Sequence, residues 1–215
     1  MSARSDVVRL FPLPNVVLFP RVDLPLHVFE PRYRDLVKDA LADDRMIGMA
    51  LLRGDWRRDY DGRPDLFPLG CAGTIEACSA LADGRSNLIL RGVSRFEIVE
   101  ELSDEPTSYR QARVRWLADE LQELGALEGR LHELVDRLLV RRGVSTPDLW
   151  DRLPRDGDRL VNSLAFALDL PVVEKLALLE CNDLRTRADR LAQLIEFQLA
   201  EPFGGSPTDL RGSAH

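Results

Sequence analysis

The residues best suited to chemistry lie in one short stretch, PLHVFEPRYRDLV, at positions 25–37. His27 and Glu30 in this stretch, with Asp23 just before it, have the side chains that a hydrolase uses as general acid and base. Such a mechanism also needs a nucleophile held beside its base. No nucleophilic side chain stands at a usable spacing from these residues. A hydrolase centred here is therefore the least favoured of three functional hypotheses.

Other catalytic patterns are incomplete. A phosphate-binding loop needs GxxxxGK[ST], and neither lysine of the chain follows a glycine. GVSRF at 92–96 lacks the second glycine of a nucleophile elbow, so Ser94 is expected in a turn. Lys38 and Lys175 lie in helical patterns with neighbouring carboxylates, which favour a charged amine over the base of a Ser–Lys dyad. The sequence thus predicts a non-enzyme, with no catalytic residues and no cofactor.

The cysteine and histidine spacings predict no metal site. Three cysteines form no CxxC pair, and the three histidines form no HxxxH pair. The N-terminus shows no apolar core followed by a cleavage site, and no run approaches the roughly 18 apolar residues of a membrane span. We therefore expect reduced cysteines, a cytoplasmic location and no membrane association.

Charge is distributed unevenly along the chain. The net charge is −7; residues 1–118 hold 17 Lys+Arg against 18 Asp+Glu, and residues 119–215 hold 12 against 18. An acidic chain is a poor general binder of polyanions, so nucleic acid is an unfavoured partner. The alternative is a basic patch on neighbouring strands, formed by Arg91, Arg95, Arg113 and Arg115.

Hydrophobic periodicity changes near residue 119. Before it, short strand-like runs are broken by Pro, Gly and Asp, and Asp83-Gly84 predicts a hairpin turn. After it, leucines three or four apart predict three or four helices. The fold class is therefore α+β. We expect a β-rich subdomain at 1–118 with one inserted helix, a helical bundle at 119–203 and a disordered tail at 204–215.

The polar stretch at 25–37 also has an architectural interpretation. Residues 22–29 alternate as a strand, and Pro25 suggests its position at an edge. Pro31 suits the first position of a helix, and Glu30 can interact with the positive end of the helix dipole. Tyr33 begins the apolar face of that helix, and Arg32 can pair with Glu30.

A long polar segment at 53–70 is the preferred candidate for a working surface. Loops beyond about 12 residues are often functional, and aromatic residues interleaved with arginine are typical of binding hot spots. Phe67 and Trp56 could instead pack into the core. The candidate partner-binding residues are Arg53, Trp56, Arg57, Arg58, Tyr60, Arg63 and Phe67.

The run FPLPNVVLFPRVDLPLHVFEPRYRDLV at 11–37 resembles the N-terminal domain of the Lon ATP-dependent proteases. Later segments are similar too: the Gly-Thr-Ile at 73–75, LRGVSRFEI at 90–98 and LPVVEKLALLECNDLRTRADRL at 170–191. The resemblance covers about residues 7–200, and Arg21 departs from it where the family often has glycine. The positions that carry the family signature are Leu24, Pro25, Leu26, Phe29, Glu30, Pro31, Arg32 and Tyr33.

The resemblance implies a PUA-like pseudobarrel followed by a helical bundle. The ATPase and protease segments of Lon are missing from the sequence, so it resembles the small proteins made of this domain alone and implies protein binding without proteolysis. The leading hypothesis is a module that binds client segments or docks a partner protein, for instance by strand addition at a sheet edge. The alternative is RNA binding, because PUA-like folds in other families bind RNA.

Overall fold

Strands occupy the first part of the chain, helices the last, and one helix lies among the strands. The computed structural model describes residues 5–60, 62–103, 106–120, 122–143, 150 and 157–200; the predicted tail at 204–215 lies outside them. The strands are β1 (Val7–Leu13), β2 (Asp23–Val28), β3 (Met46–Leu52), β4 (Leu66–Ala80), β5 (Ser86–Glu101) and β6 (Gln111–Leu117). The helices are α1 (Pro31–Ala42), a 3₁₀ turn (Trp56–Asp59), α2 (Ala126–Arg141), α3 (Gly157–Ala167), α4 (Val172–Glu180) and α5 (Leu184–Ala200).

The sheet closes on itself. Its strand order is β2-β5-β4-β3-β1-β6, and β6 pairs with β5 as well as with β1. Five strands therefore form a ring, and β2 extends from it beside β5. The β1–β3 pair is parallel and the other pairs are antiparallel. This mixed sheet with its C-terminal helices confirms the predicted α+β class and the pseudobarrel.

The fifth strand is longer than the sequence predicts. One strand of 16 residues, Ser86–Glu101, runs through Ser94, where the sequence predicts a turn. The prediction of a turn at Ser94 is wrong, because Ser94 pairs with Ala72 beside a register shift. The first half of β5 pairs with β2 and the second half with β6. Closure of the ring thus requires a continuous strand that bends at a bulge.

Two turns contain a residue with positive φ, and in only one of the two is that residue a glycine. Gly84 has φ +81° in the β4–β5 hairpin, where Leu81 N donates to Arg85 O over 2.8 Å, so the Asp83-Gly84 turn is confirmed. Arg21, which replaces the glycine frequent in the resembled family, has φ +62°. Its guanidinium lies 3.0 Å from a carboxylate oxygen of Asp158 on α3. An arginine therefore holds a left-handed conformation that glycine adopts at lower cost.

Two buried clusters form the core. The smaller one consists of Val8, Leu10, Ala72, Phe96, Ala112 and Val114. The larger one joins α1, one side of the sheet and the C-terminal helices. The leucine stripes predicted after residue 119 supply much of it, including Leu131, Leu134, Leu138, Leu160, Leu164, Leu191 and Ile195.

A buried charge network, here called the barrel–helix junction, connects β5 to the helices. Arg95 of β5 and Arg187 of α5 are 0% and 1% exposed, and both approach Oδ1 of Asp119, at 2.7 and 2.9 Å. Burial lowers the pKa of Arg95, and the nearby Asp119 opposes that shift. A single carboxylate thus compensates two buried cations.

Backbone carbonyls and the side chain of Asn162, which accepts from Arg187 Nη1 at 2.8 Å, take up further donors of the junction. Arg95 donates to the carbonyls of Leu179 and Ala118, both at 3.0 Å. Arg187 donates to the carbonyls of Leu178 and Cys181, at 3.0 and 2.9 Å. These bonds hold the helices against the barrel. They do not test the division into subdomains at residue 118, which stays a prediction.

The cysteines are free thiols, and Cys71 is fully buried, which raises the pKa of its thiol. No helix in the described part of the chain is long and apolar enough to cross a membrane.

Candidate functional site

The corner between β2 and α1 is built as the sequence predicts, except for the role of Glu30. Pro31 occupies the first turn of α1, and the carbonyl of Glu30 accepts hydrogen bonds from the amides of Tyr33 and Arg34, both at 3.0 Å. The Glu30 side chain makes no capping hydrogen bond. It accepts instead from Arg32 Nε at 3.0 Å and from the hydroxyl of Tyr60 at 2.8 Å. Glu30 therefore connects the corner to the 53–65 segment.

The 53–65 segment returns to the sheet as a closed loop. The amide of Arg53 donates to the carbonyl of Asp65 over 2.7 Å. The 3₁₀ turn inside the loop carries Trp56, whose ring packs edge-on against Tyr60 at a centroid distance of 5.8 Å. The loop thereby holds the Tyr60 hydroxyl against Glu30.

Between the corner and the loop lies a cavity of about 140 Å³, here called the corner–loop pocket. A cavity of about 150 Å³ holds a benzene ring, so this space matches a single ring-sized side chain. All three tyrosines of the chain line it. The lining residues are Pro12, Arg32, Tyr33, Leu52, Tyr60, Gly62, Pro64, Ser108, Tyr109 and Arg110.

One wall of the pocket is a cation between two aromatic rings. The guanidinium carbon of Arg32 lies 4.8 Å from the ring centroid of Tyr33 and 5.2 Å from that of Tyr60. Tyr33 stacks in turn on Phe11, with centroids 4.0 Å apart. Cation–π contacts of this kind fix the guanidinium in position while its edge stays available to hydrogen-bond acceptors.

The opposite wall comes from the segment that precedes β6. Arg110 donates through Nε and Nη2 to the carboxylate of Glu101, and through Nη1 to the carbonyl of Pro64 at 2.8 Å. The hydroxyl of Tyr109 donates to Asp39 Oδ2 at 2.8 Å. Arg63 reinforces the rim by donating to the carbonyl of Leu102 at 2.7 Å. Both arginines of the pocket are thus paired with carboxylates, and its charge is nearly balanced.

The tyrosine hydroxyls act as neutral hydrogen-bonding groups. Burial raises the pKa of all three tyrosines above the ordinary phenol value of 10. The hydrogen bond to Glu30 raises the pKa of Tyr60 further, and the hydrogen bond to Asp39 does so for Tyr109. At neutral pH the pocket therefore presents phenol hydroxyls, aromatic rings and a guanidinium edge, which are groups that bind side chains.

The structure brings together part of the residue set predicted from sequence. Arg32, Tyr33 and Tyr60 line the pocket, and Glu30 and Arg63 support it from behind. Phe67 packs against the core, as the alternative interpretation of that residue expects. The other candidates do not line the cavity: Pro25, Phe29, Pro31, Arg53, Trp56, Arg57 and Arg58.

Sequence reasoning missed the wall formed by Ser108, Tyr109 and Arg110. These residues lie more than 70 positions beyond the corner in sequence, and only closure of the ring brings them to it. The one local signal was the pair Tyr109-Arg110, which repeats the arginine–tyrosine composition of the corner.

The residues of the hydrolase hypothesis have other partners. Asp23 pairs with Arg91 at 2.7 Å, and this arginine lowers the pKa of Asp23. Nδ1 of His27 lies 2.6 Å from Oδ1 of Asn87. Both are exposed on β2, whereas Glu30 points to the pocket.

The proposed basic patch for RNA is not formed. Arg95 is fully buried in the barrel–helix junction and cannot reach a polyanion. The other three members have acidic partners: Arg91 with Asp23, Arg113 with Asp6 and Glu100, and Arg115 with Glu97. The geometry therefore gives the RNA alternative no support.

Two Lon proteases are similar in sequence to this chain over most of its length. Lon protease 2 of Myxococcus xanthus is 30% identical over 197 residues, which cover 88% of this chain and 23% of that protein. The Lon protease of Syntrophus aciditrophicus is 28% identical over 206 residues, 90% of this chain and 25% of that protein. The chain thus spans about a quarter of the length of these relatives.

Solved structures and a family profile agree with these relatives. A Lon N-terminal domain protein from Xanthomonas campestris has a TM-score of 0.64 and 27% identity, and the match covers 91% of this chain and 99% of that one. The N-terminal domain of a Mycobacterium avium complex Lon protease has a TM-score of 0.66 at 20% identity and shows the shared fold. The profile described as the ATP-dependent protease La (LON) substrate-binding domain matches residues 7–196. The chain therefore belongs to the Lon substrate-binding domain family.

Proposed function

We propose that this protein is a non-catalytic interaction module that binds segments of client proteins, and that a ring-sized client side chain enters the corner–loop pocket. The observation that carries the proposal is the pocket itself, a cavity for one side chain lined by three neutral phenols and the edge of Arg32. Membership of a family described as substrate-binding supports the same role.

The chemistry of the lining favours a protein client. The Arg32 guanidinium can donate to a client carbonyl, and the phenol hydroxyls, whose protons are donated within the protein, can accept from a donor at the tip of a client ring. Pro12, Leu52 and Pro64 offer apolar contacts to the body of the side chain. Aromatic residues and arginine are also the residue types enriched at protein-binding hot spots.

The test is a titration with an unfolded protein. A fluorescently labelled model protein, reduced and carboxymethylated so that it cannot refold, is titrated with the wild type and with Tyr60→Ala, and anisotropy reports binding. Removing one wall of the pocket is expected to weaken binding about tenfold, the effect of a single hot-spot residue.

Phe29→Ala provides the matched control. Phe29 is an exposed aromatic residue of the same corner, but it does not line the cavity, so its loss is expected to change the affinity less than twofold. Absence of binding by the wild type would contradict the proposed function. Equal effects of the two substitutions would contradict the pocket as the binding site.

A further inference from the structure

A three-stranded extension of the barrel carries two sheet edges. Beyond Thr74, β4 no longer pairs with β3 and continues beside β5 to the hairpin, while β2 lies on the other side of β5. Within the described part of the chain, no strand pairs with the outer side of β4 at 76–80 or with the outer side of β2. A sheet edge of this kind presents backbone groups to which another chain can bind.

The direction of each backbone group follows from the hydrogen bonds of the flanking residues. In an antiparallel pair, alternate residues exchange hydrogen bonds, and the residues between them point their N–H and C=O groups the other way. Gly92 N donates to the carbonyl of Val22, so Leu24, Leu26 and Val28 point toward β5 by alternation. The backbone groups of Asp23, Pro25 and His27 therefore point away from β5, toward the open side of β2.

The β2 edge is weakened by its central residue. Pro25 has no N–H, and its position is one where that group would point away from the sheet. An added strand would lose a hydrogen bond at the middle of this short edge. Proline at such a place is a device by which proteins avoid unwanted strand pairing. Strand addition at β2, which the exposed position of this strand would otherwise favour, is thus disfavoured.

The β4 edge has no such defect. Leu81 N donates to Arg85 O, so Ser79 and Ala77 point toward β5 by alternation. The N–H and C=O groups of Cys78 and Ala80 consequently point outward. Neither residue is a proline, and Ala80 is exposed. This edge offers two donors and two acceptors in a row to an extended chain.

Helix α1 runs alongside the β4 edge. At one end, Arg34 approaches the hairpin so closely that a Cβ on Gly84 would lie 2.0 Å from its Nη2. At the other end, just after α1, Arg45 donates through Nη2 to the carbonyl of Ile75 over 2.7 Å. Arg34 and Lys38 are four residues apart and exposed, so they lie on one helical face along this edge. The flank of the edge is therefore basic.

We propose that the outer edge of β4, at Cys78 and Ala80, binds an extended segment of a client protein by strand addition, with a preference for segments that carry acidic side chains toward α1. This inference rests on the proposed function, because it names the geometry in which a client is held. A second copy of this chain is a poorer occupant than an acidic client, since antiparallel pairing of two β4 edges would bring two basic flanks together.

The experiment uses residue-resolved amide exchange by NMR on the full chain. The ligands are the carboxymethylated protein described above and a peptide of about ten residues, with alternating valine and threonine and two glutamates on one face. The amides of Cys78 and Ala80 are expected to become protected at least fivefold on binding, because each gains a hydrogen-bond partner. The amides of Asp23 and His27, which point outward from β2, are expected to exchange at unchanged rates.

Substitutions provide a second readout. Ala80→Pro removes one outward donor and is expected to weaken peptide binding about fivefold, whereas Ala80→Thr keeps the donor and is expected to bind like the wild type. Lys38→Glu is expected to reduce the preference for the glutamate peptide over its glutamine counterpart. If Ala80→Pro does not fold, amide exchange in the wild type decides the question alone.

The outcomes separate this inference from the proposed function. Binding without protection of Cys78 and Ala80 would overturn the β4 edge and leave client binding intact. Protection of these amides that rises with protein concentration, without ligand, would overturn it in favour of self-association. A wild type that binds neither ligand would contradict the proposed function itself.

Discussion

The barrel–helix junction and the corner–loop pocket are both built around paired arginines, but these arginines have different roles. Each contains two arginines paired with carboxylates. In the junction, backbone carbonyls of α4 and the residues after it surround the guanidiniums. In the pocket, the flat rings of Tyr33 and Tyr60 flank Arg32, and a cavity remains in front of it. Arginine enclosed by carbonyls holds a structure together, whereas arginine held between rings can also present an edge to a ligand.

The largest loss of stability is expected from a substitution in the junction. Asp119→Asn keeps the shape of the side chain but leaves Arg95 and Arg187 buried without a compensating charge. Breaking a buried ion pair costs about 3 kcal/mol or more, which corresponds to a fall in Tm of roughly 6–12 °C for a chain of this size. Differential scanning calorimetry measures it.

Asp83→Asn is the matched control for that substitution. Asp83 also pairs with an arginine, Arg85 at 2.6 Å, but both side chains are about half exposed. An exposed pair of this kind is expected to leave Tm unchanged. Equal shifts for the two substitutions would show that the junction is no more than a surface interaction.

A smaller effect on stability is expected in the pocket. Glu30→Ala removes the acceptor of Arg32 Nε and of the Tyr60 hydroxyl, and is expected to lower the free energy of unfolding by about 1 kcal/mol. Urea denaturation measures this change. Glu30→Gln keeps an acceptor for Tyr60 and is expected to restore part of the loss. Unchanged stability with lost client binding would instead assign Glu30 to the binding surface.

The smallest effect concerns the protonation of the pocket. Because all three tyrosines line it, phenolate absorbance reports on this region alone. Their pKa values are raised on folding by burial, so they favour the folded state below pH 10 and lose that contribution as the pH rises above it. An absorbance titration is expected to show ionisation of the tyrosines at higher pH than in urea-unfolded protein. Coincident curves would mean that the pocket is open to water.

Particular elements show how far the sequence could be interpreted. The hairpin at Asp83-Gly84, the helix start at Pro31 and the buried leucine stripes follow local rules of turn chemistry and periodicity, and the structure has them. The turn expected at Ser94 failed because closure of the ring requires a long bent strand there. Arg95 was assigned to the surface because alternation gives its direction from the strand, but not what covers that side of the sheet.

By itself the sequence determined the α+β class, the family resemblance and the position of the strand-to-helix corner, since each depends on residues close together in the chain. Only the tertiary structure decided what the polar residues of PLHVFEPRYRDLV contact. Glu30 and Arg32 contact Tyr60 from the loop, and Tyr109 and Arg110 come from the segment just before β6. Sequence separation hides such contacts, because strand pairing, and no local preference, sets which distant segments become neighbours.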